Sequence, residues 1–414
     1  MRRFSLILPL ISGVALGDRF HDSINAGYGG FRYGGAFCAI ADDPSAVFYN
    51  PAGIVKQIAA DDLDPQSLTI ARSGHYRIRQ KGTDKADLSL SSVNEAFFAP
   101  TFLGGSVELF DRNYVYGLTV ADYVKRQDRI REEIPQTRNE RPEITYHRDD
   151  QFMQAGIGTA WAKEQSALGL ALILGYANYE TEIIRKGQLS IEGFGSTIPS
   201  GLTWQESSSQ ERLVVLTLHP GIITQKGATT LGAALETSAV IQGSRRTFND
   251  SSAQPSGLAQ ETVTSYSPTQ PARVRVGWAQ KFSTTTLSTD VSLKTSQEYL
   301  GEFEDTRWTR PTGNISLGLA FGGNHPKYTV ALFTDLSNHP IDSDLDRLRE
   351  DSIDLYGIVT SMRLVLGKRA YMGGLEARYG RSIRDANELL RGDEPVADKV
   401  VVTLAIGSEG RVTP

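Results

Sequence analysis

Residues Gly27–Ile54 read GYGGFRYGGAFCAIADDPSAVFYNPAGI, and no later stretch of the 414-residue chain resembles them. Five glycines fall between Gly27 and Gly35. A small apolar run from Ala36 to Ala41 follows, then the acidic pair Asp42–Asp43, then Asn50-Pro51-Ala52-Gly53. Glycine permits backbone paths and close approaches that a side chain forbids. Asp43-Pro44-Ser45 is turn and helix-start chemistry: Asp43 is placed to cap, Pro44 to occupy the first helical position, and Ser45–Tyr49 to form one short turn. Asn50 precedes a proline and is held extended, with a side chain suited to bonding nearby backbone. Taken alone, this is a capped turn before a first strand. It becomes a plug if the rest of the chain builds something to fill.

Upstream, Met1-Arg2-Arg3 is a small basic region, and Phe4–Leu16 is apolar or small. That run is too short to cross a bilayer as a helix and has the length of a signal-peptide core. Ala15-Leu16-Gly17 fits the small-x-small cleavage pattern, so residues 1–17 are expected to be removed before Asp18. Residues 18–58 then form the plug and 59–414 the body. The single cysteine, Cys38, excludes an intramolecular disulfide and is expected to pack as a small hydrophobe.

Downstream there is no long amphipathic helix pattern. Leu287, Thr289, Val291 and Leu293 alternate with Ser288, Asp290, Ser292 and Lys294. Val274, Val276 and Trp278 alternate with Arg273, Arg275 and Gly277, and Leu375, Ala377 and Tyr379 with Glu376 and Arg378. A period of two puts the two sets on opposite faces of a strand. Fourteen such segments can be marked, roughly 66–79, 91–103, 113–128, 144–162, 167–190, 202–223, 228–248, 260–282, 284–299, 308–322, 326–338, 351–367, 370–384 and 397–408. Most exceed ten residues, as membrane strands do, whereas strands of soluble sheets average nearer five or six. Tight connections follow segments 4, 6, 8, 10 and 12, and longer polar ones follow most of the odd segments; Gly104–Arg112, after segment 2, is the exception. The expected fold is therefore all-β: a transmembrane antiparallel β-barrel of about fourteen strands with an N-terminal plug in its lumen. In such barrels short turns and long loops lie at opposite ends, and closure leaves no unpaired edge in lipid. The final strand, KVVVTLAIG at 399–407, is apolar on both faces, with Val401, Thr403 and Ala405 expected inward. The chain ends without a terminal aromatic residue.

The glycine-rich lead, Ala39-Ile40-Ala41-Asp42-Asp43 and Asn50-Pro51-Ala52 resemble the N-terminal hatch of FadL/TodX-type outer-membrane transporters of long-chain fatty acids and aromatic hydrocarbons. The spaced glycines and tyrosines of Asp354–Gly380 are similar to late strands of that family. Pro44 and Gly53 also fit a second family, barrel proteins of the type IX secretion shuttle kind. The first resemblance implies passive uptake of hydrophobic compounds such as fatty acids through an outer-membrane barrel. The second implies a protein-secretion or scaffold role.

A net charge of −5 and the absence of a basic stripe argue against a nucleic-acid partner. The six histidines are scattered, no pair has helical metal spacing, and no nucleophile elbow or phosphate loop is present. No enzyme, cofactor or metal is expected. The expected partners are a hydrophobic small molecule and outer-membrane lipid, and the closed barrel is expected to stand as a monomer. Asp42, Asp43, Asn50, Pro51 and Ala52 are the candidate gate. Phe31, Tyr33, Phe37 and Phe48 are candidate apolar lining, with plug–wall packing as the alternative. Arg273, Arg275, Lys294 and Arg378 are candidate carboxylate holders. Interior ion pairing with Asp290 or Glu376 is the alternative for these cations.

Overall fold

A computed structural model describes residues 27–58, 69–79, 91–93, 97–109, 112–131, 143–187, 203–251, 260–300, 306–322, 326–339, 353–366, 369–381 and 396–411. The expected signal peptide and residues 18–26 lie outside them. The chain opens with α1 (Gly27–Arg32), α2 (Ala46–Tyr49), a 3-10 turn (Pro51–Gly53) and α3 (Ile54–Ile58). The strands follow: β1 (Thr69–Arg79), β2 (Ser91–Val93), β3 (Phe97–Leu109), β4 (Arg112–Arg131), β5 (Glu143–Lys163), β6 (Ser166–Gly187), β7 (Thr203–Lys226), β8 (Thr229–Ser251) and β9 (Gln260–Ser265). Then come β10 (Arg273–Phe282), β11 (Thr285–Lys294), β12 (Glu298–Leu300), β13 (Thr306–Trp308), β14 (Thr312–Gly322), β15 (Lys327–Asp335), β16 (Leu355–Leu366), β17 (Arg369–Arg381) and β18 (Val396–Arg411).

Every ladder is antiparallel. The path β10-β11-β14-β15-β16-β17-β18-β1-β3-β4-β5-β6-β7-β8 returns on itself through the β8–β10 ladder, which pairs Glu236 with Arg273 and Thr230 with Ala279. The ring therefore holds fourteen strands, each backbone paired on both sides.

Four expectations are corrected. The second segment divides into β2 and β3, and β3 continues to Leu109. Gly104 and Gly105 lie inside it, so the connection to β4 is as tight as the others and the exception disappears. Glycine within a strand marks the close approach of another group; a Cβ at Gly104 would meet Pro44 of the plug. The eighth segment is interrupted: β9 and β10 both pair with β8, but residues 266–272, which include Pro268 and Pro271, leave the ladder. Proline has no N–H to donate to a neighbour. The ninth segment ends at Lys294, and Glu298–Leu300 pairs instead with Thr306–Trp308 in a separate two-stranded sheet. The last strand extends beyond its expected bounds to Val396 and Arg411.

The wall is inverted relative to a water-soluble protein. On β6, Leu168, Leu170, Leu172 and Leu174 are exposed, while Ala167, Ala171, Ile173 and Ala177 are buried between them. On β11, Ser288 and Asp290 are buried while Val291 and Leu293 face out. The expected alternation of β10, β11 and β17 is observed, and Val401 and Ala405 point inward on β18. The outer rows of β16 and β17 end in tyrosines: Tyr356 opposite Tyr379 at one end and Tyr371 at the other. Eight residues separate Tyr371 from Tyr379, about 26 Å along the strand and about 20 Å along the axis at a ~40° tilt. This is close to the ~25 Å apolar band of membrane barrels. No helix among the described residues is long and apolar enough to cross a membrane.

Candidate functional site

The largest buried apolar cluster joins plug to wall. It brings Tyr33, Phe37, Ile40, Val47, Phe48, Tyr49 and Ile54 against Phe102, Val115, Ala171, Ile173, Ile223, Ala279 and Ala320. The plug's own glycines serve mainly to fold it. A Cβ at Gly29 would meet the Phe37 ring and one at Gly30 the Tyr49 ring. Phe37 packs edge-on to Tyr49, with centroids 5.4 Å apart, and stacks on Tyr33 at 6.2 Å.

Asp43 is buried, and its carboxylate accepts from Gly29 N at 2.6 Å and Ser45 N at 2.8 Å, and from the Ser45 hydroxyl. It thus ties the glycine lead to the start of α2. The helix-capping position falls on Ser45, not on Asp43 as expected, because Pro44 lies outside the helix. Asn50 is extended as expected, with φ −160° and ψ 102°. Its Oδ1 accepts from Ala52 N at 3.1 Å. Its Nδ2 donates to the Cys38 carbonyl at 2.9 Å and to the Ile222 carbonyl of β7 at 3.0 Å. One side chain therefore closes the turn, pins the apolar run and joins the plug to the wall.

Two wall residues complete the attachment. Asp290 on β11 accepts from Phe37 N at 2.9 Å and Cys38 N at 2.7 Å. His219 on β7 meets the Val47 carbonyl through Nδ1 at 3.0 Å. Neither role was signalled by spacing, and Asp290 was expected to pair with a cation. The stronger missed signal is glycine on the inward rows. A Cβ at Gly221 would fall on Asn50 Oδ1, at Gly169 on the Pro51 carbonyl and Ala52 N, at Gly232 on the Cys38 carbonyl, and at Gly277 on Ala39 N. Glycines inside alternating strands were legible in the sequence as places where another backbone comes close.

The candidate lining is placed in this packing. Phe31 enters a second cluster with Ala331, Phe333, Val359 and Ala405, Tyr33 lies over Gly318, and Phe48 packs edge-on to Phe102. Asp42 is exposed, while Pro51 and Ala52 are buried. The candidate cations are brought to different partners. Arg378 is buried between Glu376 (Nε–Oε1 2.5 Å) and Asp335 (Nη1–Oδ2 2.7 Å), an ion-paired brace across β15 and β17. Arg273 meets Glu236 at 3.5 Å. Arg275 donates to the Phe48 carbonyl at 3.4 Å and lies 4.7 Å from the Tyr49 ring centroid, so it too holds the plug.

Cys38 is fully buried, as expected. Burial first, and the nearby Asp290 charge second, push its thiol above the ordinary cysteine range. Among the described residues no group of three or more His, Cys, Asp or Glu side chains could hold a metal ion.

No family model and no curated protein matches the sequence. Solved structures do match. A Pseudomonas aeruginosa FadL homologue aligns over 96% of this chain and 100% of its own, with TM-score 0.64 and 10% identity. The fold is the one FadL-type channels share. The Pseudomonas putida toluene transporter TodX aligns over 89% and 93% (TM-score 0.56, 11% identity). The Ralstonia pickettii toluene transporter TbuX aligns over 94% and 99% (TM-score 0.53, 12% identity).

Proposed function

We propose that this chain is an outer-membrane channel for passive uptake of hydrophobic compounds, with the Gly27–Ile58 plug as its gate. The observation that carries the reading is the pairing of an apolar outer belt with an N-terminal plug packed against the inner wall. The belt suits lipid. A filled lumen suits a solute that must not bring a water column with it. Two proteins that share the fold are named for toluene transport, which supports a hydrophobic solute here. Asn50, Asp290 and the inward glycines hold the gate shut. Movement of the glycine lead, whose segment from Gly27 to Gly35 includes three positive-φ glycines, opens a path along the wall. No catalytic step is assigned. Export by the N-terminal signal peptide and a monomeric state belong to the same proposal.

Purified full-length protein in sealed lipid vesicles tests it. Radiolabelled toluene and oleate are expected to enter faster than into protein-free vesicles, with negligible ion conductance in a planar bilayer. Uptake of both at the protein-free rate sinks the reading.

A further inference from the structure

All six tight connections lie at one end of the barrel, and that end carries a pattern uptake does not explain. Lys163 ends β5, Lys226 ends β7, Lys281 is the penultimate residue of β10, and Lys327 begins β15. The sequence sets Arg112 and Lys368–Arg369 at the other two connections, with Asp111 beside the first. The chain as a whole carries −5, so a basic rim here is a local concentration. Glu164 and Asp42 are the carboxylates whose side chains are described at this end. Lys163, Lys226 and Lys281 are exposed. Lys163 and Lys226 continue the outward rows of Trp161 and Ile222, whereas Lys281 and Lys327, next to the outward Phe282 and Tyr328, lie on the inward rows, Lys327 opposite Arg363 and near Arg32 and Asp42 of the plug.

A second observation fixes the level of this rim. Trp161, Phe282, Phe321, Tyr328 and Tyr371 all face outward within a few residues of the same end, and Phe321 stacks on Tyr328 with centroids 6.0 Å apart. Aromatic girdles sit where acyl chains give way to headgroups. Lysine stems extend from that level and carry the ammonium outward to the phosphates.

We propose that the turn end of the barrel is a seat for anionic phospholipid. The Lys163 and Lys226 ammoniums hold headgroup phosphates and the aromatic girdle rests at the glycerol level. The inference depends on reading the outer belt as lipid-facing. Whole protein is equilibrated in mixed micelles holding equal phosphatidylglycerol and phosphatidylcholine, stripped of free lipid, and its retained lipid counted by native mass spectrometry. Phosphatidylglycerol is expected to be enriched about fivefold for each lysine engaged. The variant K163Q/K226Q is expected to lose most of the enrichment, while the inward-row variant K281Q/K327Q and the loop-end variant R246Q/K294Q keep it. Heat-dependent gel mobility reports folding. If K163Q/K226Q does not fold, K163Q and K226Q are measured singly, each with lowered enrichment. Equal retention by the unmodified protein, or undiminished enrichment in K163Q/K226Q, overturns the proposal. Retention of neither lipid by the unmodified protein overturns the lipid-facing belt as well.

Discussion

Asp290 does at the residue scale what no other wall side chain described does: it offers one buried carboxylate oxygen to two consecutive plug N–H groups. Replacing it with alanine takes the acceptor from the Cys38 N–H, at about 1–3 kcal/mol, and leaves the Phe37 N–H with the Gly35 carbonyl alone. The expected result of Asp290→Ala is a loosened plug in an intact barrel, and Cys38 reports it. The Cys38 thiol is buried and its pKa raised, so the neutral form persists as pH rises past the usual cysteine range near 8.5. Only the thiolate is nucleophilic. Maleimide labelling of the folded native protein is thus expected to stay negligible between about pH 7 and pH 9.5, and to rise in Asp290→Ala. Rapid native labelling at pH 8 contradicts the packing of Phe37–Ala41 described above. Arg378 makes a different prediction. Removing it takes a shared cation from the buried carboxylates of Glu376 and Asp335, a change worth about 3–5 kcal/mol. Arg378→Met is expected to lower the midpoint of denaturant unfolding, with a smaller loss in the triple neutral variant R378M/E376Q/D335N.

At the scale of elements, the plug is shaped by the strands that face it. Gly169 on β6 and Gly221 on β7 leave room for Asn50, Pro51 and Ala52. A valine at either position puts side-chain atoms where plug backbone now lies. The expected outcome of Gly169→Val is a barrel with unchanged circular dichroism and a displaced plug, read as ion conductance in a planar bilayer. Silence there means the plug yields locally and stays seated. The strands themselves were legible in the sequence because lipid outside and polar groups inside impose a strict period of two. Val274, Val276, Val291 and Leu293 face out as that period requires. Asn50 was legible because Asn-Pro chemistry is local. Its bond to Ile222, the Asp290 contact and the part of Asp335 in the Arg378 brace were not, since each joins positions far apart in the chain, whereas the Arg378–Glu376 pair, two residues apart, was among the readings of those cations. Gly104–Gly105 misled for a related reason: glycine marks both a chain reversal and a close approach, and only the plug decides between them.

For the whole molecule, the closed ring and the filled lumen make opposite predictions about water and apolar solutes. Deleting residues 27–58 is expected to leave a folded barrel that conducts ions, while uptake of toluene loses its selectivity over small polar dyes. An unfolded deletion product assigns the plug to structure more than to gating.

The plug also sets an order of events during biogenesis. Asn50 reaches Ile222 172 positions later, and His219 reaches Val47 over the same separation. Asp290 reaches Cys38 over 252 positions. Closing a loop of that length costs about 5 kcal/mol of chain entropy before any contact returns it. The earliest-made segment therefore acquires its hydrogen bonds to the wall in two instalments, first when β7 exists and again when β10 and β11 do. A barrel halted between those points holds its stopper by one side only, and whatever escorts the nascent chain has to tolerate that half-fastened state.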